Sequence, residues 1–248
     1  MANRDEILNY LNDLLNVTEF DDYCVNGMQV EGKEDVKKIV LGVSVSQRLF
    51  QQAIEKNADM ILVHHGIFWK SDAQPFSLTG IFRERLALLL KNDINLLAYH
   101  LPLDAHPEFG NNAMIMKKLN IKPIKPVEIG FLGELKTKIK WDEFINQINE
   151  KIETESQVFH FGTEYVQKVL ILSGGSSRYY FLTKENGADV FIGGDIKENI
   201  VRELEETNVN YINAWHYNTE KFGVQALVEI ITKKFAVRCE FIDIPNPV

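Results

Sequence analysis

Short apolar runs rich in β-branched residues alternate along this chain with longer stretches of helical period. That rhythm restricts the fold more than any other feature. "KKIVLGVSVS" has the character of a strand and "QRLFQQAIEKNA" of a helix; "DMILVHHG" is a strand and, after a loop, "IFRERLALLLKND" a helix; "INLLAYHLPLD" is a strand and "NNAMIMKKLN" a helix. Strands recur in "VQKVLILSGGSS", "ADVFIGGD" and "VNYINAWHY", helices in "IKENIVRELEETN" and "EKFGVQALVEIITKKF", and "VRCEFIDIPNP" closes with a strand. Such alternation predicts an α/β protein with largely parallel or mixed sheets covered by helices. The 248 residues suffice for two similar lobes. The prolines and glycines of "IKPIKPVEIGFLGELKTKIKWDEF" break both periods. A junction is therefore expected near Glu128, with one α/β lobe over residues 1–128 and a second over 129–248. "GGSS" and "GGD" in the second half loosely echo "HHG" and "HLPLD" in the first.

Charge and cysteine usage narrow the function classes. A net charge of −8 without a block of lysine or arginine disfavours a nucleic-acid binder. Cys24 and Cys239 form no CxxC, so neither a zinc–thiolate site nor a disulfide framework is suggested. The opening "MANRDEILNYLNDLLNVTEF" carries acids through its apolar period and predicts an amphipathic helix, not a signal peptide. No window approaches 18 uninterrupted apolar residues, so no membrane span is expected and the cytoplasm is the expected location.

Four of the six histidines fall at expected strand ends. His64 and His65 follow "DMILV"; His100 follows "INLLAY", with Asp104 four residues on; His216 follows "VNYINAW", with Glu220 four residues on. Ligands of open α/β sheets bind outside the carboxyl ends of the strands, where the loops converge. Imidazoles and carboxylates without a thiol are the donor set for Fe, Zn, Mn, Co or Ni. The inventory exceeds one ion and suits two, roughly 3.5–4 Å apart. His64 and His65, diverging from adjacent positions, would then serve different ions. A lone histidine at a strand end is ordinarily a hydrogen-bonded structural residue; two in a row, joined by HxxxD and HxxxE, tip the balance towards metal. A metal-free acid–base dyad of His100 and Asp104 leaves the other histidines unexplained. His106 reads as a loop residue and His160 as structural. "SGGSS" (173–177) has the look of a phosphate cradle but more that of an ordinary glycine turn, and "FWK" (68–70) that of core more than of crevice wall.

Several motifs together resemble a known family. "NGMQVEG" (26–32), "VHHGIFW" (63–69), "YHLPLDAHPEFGNN" (99–112), "SGG" (173–175), "GADVFIGGD" (187–195) and "HYNTE" (216–220) are similar to those of the NIF-three-like dinuclear metal-centre proteins. Many of these carry the name GTP cyclohydrolase I type 2 homolog, and "FWK", "HLPLDAHPE" and "IDIPNP" resemble the short bacterial branch. The resemblance implies two α/β lobes with the metal site in the cleft between them, assembled into a toroidal homohexamer. It implies His64 and Asp104 on one ion, His65 and His216 on the other, Glu220 bridging, and His100 beside the pair as a further ligand or catalytic proton-transfer group. Departures from the pattern are Trp215 where many relatives have glycine, Gly193 where threonine is common, and Ser44 where aspartate is frequent.

The expected function is that of a dinuclear metal-dependent hydrolase. It would use two divalent first-row ions per chain and a metal-bound hydroxide as nucleophile. The substrate would be a small molecule, GTP if the family name holds, its imidazole ring opened by water with loss of formate. The rival expectation is a non-catalytic protein that stores, delivers or inserts metal, or a ring-shaped regulatory scaffold.

Overall fold

The expected strands Lys38–Ser44, Met60–His65 and Asn95–Ala98 lie side by side and parallel in the computed structural model, which describes residues 1–72 and 77–248. By compactness the chain divides into two units, residues 1–103 with 224–244 and residues 104–223 with 245–248.

In the first unit the three parallel strands are flanked on one edge by Arg238–Phe241, also parallel, and on the other by Gly27–Val30, antiparallel to Asn95–Ala98. Residues 39–43 and 60–64 are almost wholly buried, which is why their apolar runs are continuous and do not alternate. The helix Gln47–Glu55 starts where Ser46 Oγ accepts the Leu49 N–H at 3.1 Å, and it packs Leu49, Phe50 and Ala53 against Val40, Ile61 and Val63. The expected first helix runs Arg4–Leu14, capped by the Asn3 side chain.

The second unit repeats this plan. Tyr165–Ile171, Val190–Gly193 and Asn210–Asn213 are parallel neighbours, and Gln157–Phe159 pairs antiparallel with the third. On one face Val169, Ile171, Val190, Ile192 and Ile212 pack with Phe144, Ile148 and Ile152 of the helix Trp141–Ile152. On the other, Leu170, Leu172, Phe191 and Tyr211 pack with Ile200 and Leu204 of the helix Glu198–Thr207.

The two plans also share their polar fastenings. Asp59, just before the second strand of its unit, accepts the N–H groups of Lys37 and Lys38 at 2.9 and 3.1 Å; Asp189, just before the second strand of the other, accepts those of Gln167 and Lys168 at 2.9 and 2.8 Å. Asn95 opens the third strand and takes the Gly32 N–H at 2.8 Å while donating to Lys33 O; Asn210 takes the Phe161 and Gly162 N–H groups and donates to Thr163 O. Two similar lobes are thus present. Each sets three parallel strands and one antiparallel edge strand in the same order, with the same residue types at the starts of the second and third. The opposite edge differs: one parallel strand in the first unit, the antiparallel pair Ile121–Val127 and Gly130–Lys140 in the second.

Glu128, where a lobe junction was expected, lies instead in the turn between the antiparallel strands Ile121–Val127 and Gly130–Lys140. Ile121–Val127 is an edge strand, which tolerates Pro123 and Pro126 because a missing N–H costs little there. The periodicity breaks for that reason, and the unit bounds fall elsewhere. Among the described residues no helix is long and apolar enough to cross a membrane.

Candidate metal centre

His64 and His65 end their strand, and His100 follows the end of the neighbouring one, so three imidazoles issue from adjacent carboxyl ends of the first sheet. One ring nitrogen of each lies within 4.8 Å of the others. The rings of His64 and His65 are 4.6 Å apart and that of His100 is 4.9 Å from His64. The vicinal rings therefore converge more than strand alternation suggested, because the pleat ends at His65.

Each imidazole is held at Nδ1. His64 Nδ1 meets the Tyr99 carbonyl at 2.9 Å, His100 Nδ1 meets the Asp22 carboxylate at 2.9 Å, and His65 Nδ1 meets Ser44 Oγ at 2.9 Å. Fixing one ring nitrogen with an outer partner, so that the other faces the ion, is how metal-ligating histidines are ordinarily oriented. The carboxylate that meets His100 Nδ1 is thus Asp22. The metal-free alternative pairs His100 with Asp104 instead.

Asp22 is the residue that the sequence most concealed. Buried, it accepts from Cys24 N, Leu101 N and Asn26 Nδ2 as well as from His100. Burial alone would raise its carboxyl, but the hydrogen bond and charge of His100, with the bonds from Asn26 and Cys24, hold it below the ordinary range. Nothing in "DDY" announces this, since its main partner lies 78 residues on. The "NGMQ" motif gains a physical meaning as well. Asn26 Oδ1 accepts the His100 N–H at 2.8 Å, and Gln29 Oε1 accepts the Ile67 and Phe68 N–H groups at 2.7 and 3.2 Å, so the motif fastens both histidine-bearing loops. Burial pushes the Cys24 thiol up to about 12, which keeps it protonated and unsuited to metal. The Tyr23 and Trp69 rings stand 4.9 and 5.3 Å from His100, so "FWK" contributes an aromatic neighbour of the histidines.

In the second unit the expected donors also gather. His216 opens the helix His216–Phe235, four residues earlier than the apolar period implied, so HxxxE is an i, i+4 pair on its first turn. His216 Nε2 and a Glu220 carboxylate oxygen are 3.0 Å apart. Asp104 and Glu220 are buried, with carboxylate oxygens within 4.8 Å of each other. Asp104 Oδ1 accepts from Asn111 Nδ2 at 2.8 Å and Ser173 Oγ at 2.9 Å; Asn111 in turn takes the Gly223 N–H at 2.8 Å.

Gly174 (φ +63°) leaves space beside these donors: a Cβ there would collide with Glu220 Oε1 and come within 3.3 Å of His216 Nε2. "SGGSS" is accordingly no phosphate cradle. Ser173, Gly174, Ser176 and Ser177 donate their N–H groups to Asn112 Oδ1, Thr219 Oγ1, Gly174 O and Asp195 Oδ1. The loop instead supports the donor residues. Trp215 stands at φ +67°, a left-handed conformation that explains why glycine suits this position; its indole N–H bonds Glu155 O at 2.8 Å.

The donor sets fit divalent first-row ions. One unit offers three imidazoles; the other offers an imidazole and two buried carboxylates, with Glu220 near both companions. Two ligands each about 2.1 Å from one ion lie about 3 Å apart, the spacing of His216 and Glu220. His106 stacks on Phe109 at 3.5 Å and His160 on Trp141 at 4.8 Å, in keeping with the loop and structural roles expected of them.

Comparison with known proteins follows the same lines. Residues 2–247 match the family model described as Duf34/NIF3 (NGG1p interacting factor 3). A Haemophilus influenzae protein named GTP cyclohydrolase 1 type 2 homolog is 40% identical over 251 residues, with 99% of each chain covered. A solved structure described as protein ybgI, of unknown function, superposes with a TM-score of 0.96 at 37% identity, and TTHA1606 from Thermus thermophilus with 0.92 at 32%, all chains being covered in full.

Proposed function

Because the chain belongs to the Duf34/NIF3 family, we propose that it is a metal-dependent hydrolase that uses two divalent ions. His64 and Asp104 would hold one ion, His65 and His216 the other, with Glu220 as a ligand available to either. The observation that carries this reading is the outer anchoring of all three imidazoles at Nδ1, a feature that a merely structural histidine cluster does not require. When bound, the ions would supply Lewis acidity and a water acidified from a pKa of about 16 to about 7.

The chain's own residues do the rest. Asp22 fixes the tautomer of His100, which can then take a proton at Nε2 from the attacking water and return it to the leaving group. Asn111 and Ser173 hold Asp104 in one rotamer. The name borne by the Haemophilus influenzae relative supports a nucleotide substrate, with GTP ring opening as the leading case. Assembly into a toroidal hexamer belongs to the same proposal.

Metal analysis of wild type and His65→Ala, purified without chelator, tests the reading, followed by incubation with a nucleotide panel and assay for formate. Two ions per chain in wild type, fewer in the variant, and product from wild type alone are expected. Equal metal content in both would remove the basis for the hydrolase. A protein that delivers metal would use the same donors, and the partial exposure of His65 and His216 favours that second reading. Loss of metal to an acceptor protein, with no turnover of any nucleotide, would select it.

A further inference from the structure

The outer partners of the three imidazoles differ in chemical kind, and for His64 and His65 that difference reaches the ions. A carbonyl oxygen only accepts, so the His64 nitrogen facing Tyr99 O carries its hydrogen and the neutral ring's lone pair lies on Nε2. A carboxylate likewise only accepts, so Asp22 imposes the same tautomer on His100 and adds negative charge that makes its Nε2 lone pair more basic. Ser44 Oγ, 2.9 Å from His65 Nδ1, is different, because a hydroxyl both donates and accepts. It satisfies either tautomer of His65, including the one with hydrogen on Nε2, which must be given up before that nitrogen binds metal. His65 is also only partly buried, whereas His64 and His100 are buried.

We infer that the two ions are held unequally, the one on His65 being weakly bound and exchangeable, with Ser44 as the positioning residue that sets its affinity. This rests on the two-ion reading above. Ser44 touches neither ion; it acts through the ring orientation, tautomer and basicity of His65. The pairing is fixed by the sheet, where Ser44 and His65 are register partners on neighbouring parallel strands. Any residue at 44 therefore faces His65, and its chemistry is the variable.

Calorimetric titration of the metal-stripped protein with Co(II), using a competing chelator to resolve the tighter class, reads both affinities. The Co(II) visible spectrum reads each site's ligand field. Wild type should show two ions per chain in two classes at least about tenfold apart. Ser44→Asp, which gives His65 a carboxylate as Asp22 gives His100, should tighten the weaker class by about tenfold or more and shift its spectrum, leaving the tighter class unchanged. Ser44→Ala should loosen the weaker class alone, and it carries the test should the aspartate variant fold poorly. Two classes of equal affinity in wild type, or substitutions at 44 that move the tighter class or neither, would overturn the inference while leaving two ions intact. A single ion per chain at saturation would instead sink the two-ion reading and this inference with it.

Discussion

Gly174 shows how closely single positions are specified around the donors. An alanine there would occupy a left-handed conformation and press its Cβ against Glu220. Gly174→Ala should cost about 1–3 kcal/mol from backbone strain, more if Glu220 cannot move, and lower the metal content per chain. Urea unfolding beside metal analysis checks both; unchanged metal content would show that Glu220 tolerates displacement. Asp22 offers a second case. With four donors converging on its two oxygens, Asp22→Ala should destabilise the fold by about 3–5 kcal/mol. A loss below about 1 kcal/mol in the same melts would mean that water replaces the carboxylate. The proposed ligands were legible because histidine is scarce here and their spacing from carboxylates repeats. The residues that hold them were less so: Asp22 meets His100 78 residues on, and Ser173 reaches Asp104 69 residues back.

At the level of elements, the paired aspartates tie strand starts together. Burial would raise the Asp59 carboxyl, but the Lys37 and Lys38 N–H groups and the Lys33 ammonium hold it below its ordinary 3.8. A depressed carboxyl stabilises the fold above its unfolded-state pKa, and that contribution fades as pH falls through the folded one. Wild type should therefore lose stability below about pH 4 more steeply than Asp59→Asn, which gives up part of the stability already at neutral pH. Chemical melts at several pH values decide this, and parallel acid limbs would show that Asp59 is not responsible. Strands and helices were mostly visible in the sequence because buried parallel strands leave unbroken apolar runs. The hairpin of Ile121–Val127 with Gly130–Lys140 was not, because edge prolines imitate a linker. His216 seemed to precede its helix because first-turn polar residues carry no apolar period.

For the whole molecule, the proposed hexamer predicts that sedimentation at micromolar concentration returns six chains, independent of metal loading. A monomer under both conditions would remove the ring from the proposal. The net charge of −8 per chain argues that such a particle would ignore duplex DNA at physiological salt.

The shared plan of the two units has one last consequence. Their strand starts carry the same aspartate and asparagine, yet counted from Asp59 and Asp189 the place of His64 is taken by Gly194, where a Cβ would strike Thr219 Oγ1, and the place of His65 by Asp195. The twins have specialised. One copy ends that strand in two imidazoles; the other bares its backbone and turns the following carboxylate to Ser177, so one scaffold carries metal donors where its twin carries a loop fastening.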